Sequence, residues 1–175
     1  MLKVFLTIMG SFLILAFLGV SGLIFVLNKF GHDLPDYRQL ADYEPPVMTR
    51  VHAGDGRLLA EYAIEKRVFV PLRAMPRRVV NAFLSAEDKN FYNHQGIDFF
   101  GVGRAILINL RNLGKKRRMV GASTITQQVA KNFLLTNEVS WERKAKEAIL
   151  AFRIERAFSK ERILELYLNK IYLGL

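Results

Sequence analysis

Gly121-Ala122-Ser123-Thr124-Ile125-Thr126-Gln127-Gln128-Val129-Ala130-Lys131-Asn132 is the stretch on which the fold class turns. Ser123 or Thr124 can cap a helix start, and the run continues to about Leu135. Ile125, Val129 and Phe133 recur at every fourth position, so they share one helical face and point to a core. Thr124, Gln128 and Lys131 share another face, with a hydroxyl, an amide and a cation beside a glycine-containing helix start. Two readings stay open at this point. One is a capped amphipathic helix with an ordinary polar face. The other is a phosphate site at a helix N-terminus, with a cation one or two turns in.

Working outward, the helical period persists. A helix is expected from about Trp141 to Phe158, and another capped by Ser159 through Leu168. Upstream, Pro76 suits a helix first turn, and Val79, Val80, Phe83 and Leu84 make one apolar stripe. A helix is also expected over Gly103 to Leu113. The exception is Gly54-Asp55-Gly56, which sits between the β-compatible runs Met48–Ala53 and Arg57–Ala63 and signals a hairpin. The expected fold class is mainly α with a small β-hairpin.

Composition narrows the function classes. The chain has 175 residues, 51% of them hydrophobic, which suits one folded domain and excludes a disordered tail. A net charge of +10 points to an anionic partner. There is no cysteine, so disulfide frameworks, zinc-thiolate sites and thiol nucleophiles are excluded. His32, His52 and His94 are too scattered for a helical metal-ligand pair.

From Val4 to Leu27 no residue is charged, long enough to cross a hydrocarbon core ~30 Å thick. The run exceeds the usual signal-peptide core of ~7–15 residues, which favours a retained anchor over a cleaved leader. Lys3 before it, and Asp33 and Asp36 after it, place the N-terminus in the cytoplasm and the rest outside. His32 to Pro46 is polar, ends in Pro45-Pro46 and reads as a juxtamembrane linker. Residues 1–30, 31–46 and 47–175 are therefore expected as anchor, linker and extramembrane domain.

Three further blocks bear on chemistry. In Glu87-Asp88-Lys89-Asn90-Phe91-Tyr92-Asn93-His94-Gln95-Gly96, helical spacing places Glu87 on the apolar stripe of Val80 and Leu84, near a helix C-terminus. Apolar surroundings and the helix dipole both favour the protonated carboxyl, which suits a general base or acid. The plainer reading is a solvated helix-end carboxylate. In Arg143-Lys144-Ala145-Lys146-Glu147, Arg143 and Glu147 are one turn apart and can pair. As a surface pair this is worth ~0.3–0.5 kcal/mol, and the Arg-first order is the poorer one for helix stability. Lys160-Glu161-Arg162-Ile163-Leu164-Glu165-Leu166-Tyr167-Leu168-Asn169 reads as a packing helix. The run Lys115-Lys116-Arg117-Arg118 is either solvated or held to anionic head groups. No aromatic stacking platform or recognisable motif supports nucleic acid.

Taken together, the four blocks resemble the peptidoglycan glycosyltransferase domain of class A penicillin-binding proteins, in its 1A branch. The pattern E-D-x-x-F-x-x-H-x-G, then G-[GA]-S-T-[IL]-T-Q-Q, then R-K-x-x-E, then K-x-x-I-L-E-x-Y-L-N stands here in order. The resemblance implies a lysozyme-like, mainly α fold with a hydrophobic lobe on the outer leaflet of the bacterial cytoplasmic membrane. It implies polymerisation of lipid II into β-1,4 glycan, with inversion and release of undecaprenyl pyrophosphate. Glu87 matches the catalytic base and Glu147 a second carboxylate assisting the leaving group. Lys131 and Arg143 match the residues holding the donor pyrophosphate. Asp88, Phe91, His94, Thr124, Gln128 and Asn132 match other cleft positions. A divalent cation (magnesium or manganese) with the pyrophosphate is an expectation of the family alone, since the sequence shows no dedicated metal cage. Membrane lipid, the growing glycan-lipid and other cell-wall synthesis proteins are the implied partners. The family domain continues in further helices past Asn169-Lys170-Ile171-Tyr172-Leu173-Gly174, so the chain is expected to be an N-terminal part of it. No S-x-x-K serine motif occurs. Two rivals are a lysozyme-like lytic enzyme, which needs no pyrophosphate clamp, and a non-catalytic membrane-anchored module that binds anionic lipid or glycan.

Overall fold

A computed structural model of the chain describes residues 2–43, 49–62, 68–115, 117–136 and 138–171. The expectations that touch Glu44 to Met48, Ala63, Lys116 and Tyr172-Leu173-Gly174 lie outside the described residues. The first helix, α1 (Leu2–Phe30), is long and apolar enough to cross a membrane, with a mean hydropathy of 2.4 and no burial against the rest of the chain over its apolar window. It extends the expected span by a turn, to Phe30. The expected hairpin forms from β1 (Thr49–His52) and β2 (Leu58–Tyr62), antiparallel, with Thr49 opposite Tyr62 and an irregularity at Val51/His52.

Five helices build the rest: α2 (Arg77–Glu87), α3 (Phe99–Arg111), α4 (Ile125–Leu134), α5 (Trp141–Ala157) and α6 (Lys160–Lys170). Their starts follow the capping chemistry of the sequence. Thr124, Ser140 and Ser159 accept from backbone amides in the first turns of α4, α5 and α6. At α4 the cap is reciprocal, because the Thr124 amide also donates to Gln127 Oε1 at 3.0 Å. The α3 helix starts at Phe99, well before the expected Gly103. Asp98 is its cap, accepting from the Gly101 amide at 2.9 Å.

The core lies where α4 packs on α5 and α6. Ile125, Val129 and Ala130 of α4 meet Leu150 and Ile154 of α5 and Ile163, Leu164, Leu166 and Tyr167 of α6, all buried. Phe133 packs at the edge of this core against the Tyr43 ring, with centroids 4.7 Å apart. Along α2, Val80, Phe83 and Leu84 cover the core while Val79 is exposed, so the apolar stripe is narrower than the sequence suggested.

The segment expected as a linker is folded onto the domain as far as Tyr43. Leu40 is 1% exposed and belongs to the core, with Leu34, Tyr37 and Tyr43 packed around it. Arg162 of α6 donates to the Leu40 and Ala41 carbonyls, and Arg153 of α5 donates to the Gly31 carbonyl just past α1. The polar average of residues 32–46 hid one apolar residue placed to reach the core. Leu40→Ala is expected to destabilise the domain by about 2–5 kcal/mol, the range for deleting a buried leucine side chain. A chemical-denaturation midpoint that does not move would contradict this packing.

Candidate active site

The site is assembled from the end of α2, the loop that follows it, the start of α4 and the first half of α5. Gly96 sets the approach of these pieces. Its φ is +92°, and an added Cβ would lie 2.8 Å from the Ala151 backbone carbon. Lacking a side chain there, the loop presses against α5, and the Gly96 carbonyl accepts from Thr124 Oγ at 2.6 Å. On the other side, Asn109 of α3 exchanges two hydrogen bonds with Val120 and fastens the segment leading into Gly121.

Asp88 is buried and has no spare oxygen. It accepts from His94 Nε2, 3.0 Å from each carboxylate oxygen, and from the Ile125 amide at 3.1 Å. It thus ties the loop after α2 to the positive end of α4. Phe91 is in the core, with Lys160 Nζ 4.4 Å above its ring. Lys160 also donates to the His94 carbonyl and to Glu155, which in turn accepts from Thr126. Asp98, held by the Gly101 amide against partial desolvation and then by Asn90 and His94, has its carboxyl below the usual range.

Glu87 ends α2 and is exposed, which corrects the apolar burial expected from its register. The stripe of Val80, Phe83 and Leu84 runs out at the last turn, so the face that covers the core upstream opens on a cleft at Glu87. Gln128 of α4 donates to Glu87 Oε2 at 2.8 Å and fixes one oxygen of the carboxylate. Glu87 lines a cavity of about 260 Å³ together with Asp88, Lys89, Asp98, Arg104 and Ser123.

Ser123 also lines a second cavity, of about 200 Å³, with Gln127, Gln128, Lys131, Arg143, Lys144 and Glu147. Here the surface-pair reading of Arg143 and Glu147 is corrected. Glu147 is 2% exposed, because it shares the buried face of α5 with Leu150, Ala151 and Ile154. Its Oε1 lies 3.3 Å from Arg143, and its Oε2 lies 2.6 Å from Lys144 Nζ, which also donates to Ser123 Oγ. Two cations therefore face one carboxylate, and a third, Lys131, lines the same cavity. Arg143 Nε is buried without a hydrogen-bond partner, its Nη1 meets Glu147 only as the 3.3 Å ion pair, and Lys131 makes no ion pair among the described residues. Unfilled cationic donors around a small cavity suit an anion such as a phosphate oxygen.

The geometry thus brings Glu87, Gln128, Lys131, Arg143 and Glu147 to two cavities joined at Ser123. It buries Phe91 in the frame behind them, while Asp88 and Thr124, also buried, border the first cavity, and Thr124 Oγ is already engaged by Gly96 and the α4 cap. Asn132 is exposed and lines neither cavity. Lining residues missed in the sequence include Ser123 and Lys144 of the second cavity and Lys89, Asp98 and Arg104 of the first. Lys144 stands three residues before Glu147, and that spacing alone could have found it. Among the described residues no group of three His, Asp or Glu is placed to cage a metal. The carboxylate of the second cavity, Glu147, has both oxygens engaged by the protein. The lining of the second cavity does not fit a protein-held divalent cation.

The family model described as Transglycosylase matches residues 55–175. Penicillin-binding protein 1A of Rickettsia bellii is 55% identical over 161 residues, covering 92% of this chain and 20% of its own length. The protein of the same name from Aquifex aeolicus is 46% identical over 153 residues, or 87% of this chain and 21% of its own. That of Neisseria flavescens is 41% identical over 172 residues, or 98% of this chain and 21% of its own. The chain spans about a fifth of the length of these curated relatives. With the family model covering more than half of its residues, the chain belongs to the transglycosylase family.

Proposed function

We propose that this chain carries the site at which a membrane-anchored peptidoglycan glycosyltransferase polymerises lipid II. The observation that carries the reading is the placement of Glu87 beside a cavity lined by Lys131, Arg143 and Lys144, with Ser123 between them. Glu87 takes the proton from the 4-hydroxyl of the acceptor sugar. The oxygen attacks the anomeric carbon of the growing chain from the face opposite the pyrophosphate. The new bond forms as the carbon–pyrophosphate bond breaks, so the configuration inverts to β-1,4. Undecaprenyl pyrophosphate departs with the bonding electron pair, and the three cations stabilise its growing charge. Glu147 holds Arg143 and Lys144 in place for that task. A lytic reaction has no use for this clamp, which favours synthesis over cleavage.

The membrane reading has its own support. The first helix supplies the anchor, and its charge flanks favour a cytoplasmic N-terminus with the catalytic domain in the periplasm. On α3, Phe99, Phe100, Ile106, Leu107 and Leu110 are exposed, with Arg111, Lys115 and Arg117 beside them. An apolar face bordered by cations suits an anionic outer leaflet, where the polyprenyl substrate resides.

Lys131→Ala is expected to raise the lipid II concentration for half-maximal rate by about tenfold or more, since a charge-assisted hydrogen bond contributes about 1.5–3 kcal/mol. The measurement is initial polymerisation rate against lipid II concentration in the full-length protein. An unchanged concentration dependence counts against the clamp.

A further inference from the structure

Tyr167 is 1% exposed, and its hydroxyl is buried without a hydrogen-bond partner among the described residues. A buried hydroxyl left unpaired is unusual enough to need a reason. The ring lies on α6 and meets Phe83 edge-on, with centroids 6.2 Å apart. Phe83 is one turn before Glu87 on α2, so Tyr167 packs against the turn that leads into the exposed carboxylate. Burial, and after it the charge of Glu87, pushes the Tyr167 hydroxyl up to about 12. The hydroxyl therefore stays protonated, and a donor, at every pH at which the enzyme works. Glu87 has the complementary need. Gln128 satisfies its Oε2, and no described residue donates to Oε1.

We propose that Tyr167 is a positioning residue for Glu87, its hydroxyl donating to the carboxylate oxygen that Gln128 leaves free once the exposed side chain turns inward. Held from both sides by Gln128 and Tyr167, the carboxylate keeps the one rotamer that meets an incoming hydroxyl. The proposal rests on the reading of Glu87 as the base, and it adds a residue on α6, an element that lines neither cavity.

The test uses the full-length protein labelled with 13C at tyrosine Cζ. The Tyr167 resonance, assigned by its absence in Tyr167→Phe, is expected to step as the carboxylates titrate and to lose that step in Glu87→Gln. Tyr167→Phe keeps the ring against Phe83, so its melting temperature is expected to hold. Its kcat for lipid II polymerisation is expected to fall about tenfold, with KM within about twofold of wild type, the pattern of a misoriented base. A Tyr167 resonance indifferent to Glu87→Gln overturns the proposal, as does a Tyr167→Phe enzyme with wild-type kcat. If wild type makes no polymer, the reading of the reaction fails by itself, and the resonance still decides the contact.

Discussion

Glu87→Gln is expected to lower lipid II polymerisation by about 10²–10⁴-fold, the range for losing a positioned general base, while the thermal melt stays within a degree or two of wild type. The two halves of this expectation have separate causes. The fold is spared because Glu87 is exposed and its one hydrogen bond is with Gln128, whose amide can still donate to a glutamine oxygen. Substitutions of that kind usually stay within about 0.5 kcal/mol. The rate is lost because an amide cannot take the acceptor proton, so the attacking oxygen stays a neutral hydroxyl. Polymer measured by gel and fold measured by circular dichroism on the same preparation separate the two. Wild-type rates in the variant would remove Glu87 from the mechanism.

Glu147→Gln is expected to act in the opposite proportion, with a large loss of stability before any statement about rate. The carboxylate is buried and balances Arg143, whose guanidinium is largely buried as well. Removing one partner leaves the other as an uncompensated charge, which costs about 3–5 kcal/mol in buried pairs. Lys144 is 42% exposed and can turn toward water, so its share is small. A loss near 3 kcal/mol corresponds to a melting temperature lower by about 6–12 °C for a domain of this size. Under the surface-pair reading the shift would be under about 2 °C, because such a pair contributes only ~0.3–0.5 kcal/mol. A melt that does not move would show that the pair is solvated in solution.

The contrast between these two glutamates shows what was legible in the sequence. Thr124 and Ser159 announce their helices because capping is local, a matter of residues three apart. The hairpin is legible for the same reason. Glu147 was open to misreading because Arg143 alone makes a pair look like a surface device. Its register with Leu150, Ala151 and Ile154 carries the burial. Glu87 shows the reverse error, since its register with Val80 and Leu84 is correct while the core it faces ends one turn too soon. Leu40 was lost for a third reason. It sits in a polar stretch, and only the chain's return over α5 and α6 brings it to the core. Asp98 as the cap of α3 was within reach of local reasoning. What no local pattern could give is the meeting of α2, α4 and α5 at Ser123, because that depends on how α4 packs between α5 and α6.

The central claim is that this site builds glycan from lipid-linked units. The most direct measurement supplies the full-length protein with labelled lipid II and follows both products. The account predicts polymer that a β-1,4-specific muramidase digests, with one undecaprenyl pyrophosphate released for each bond formed. Absence of polymer from folded protein, together with new reducing ends from preformed peptidoglycan, would contradict it.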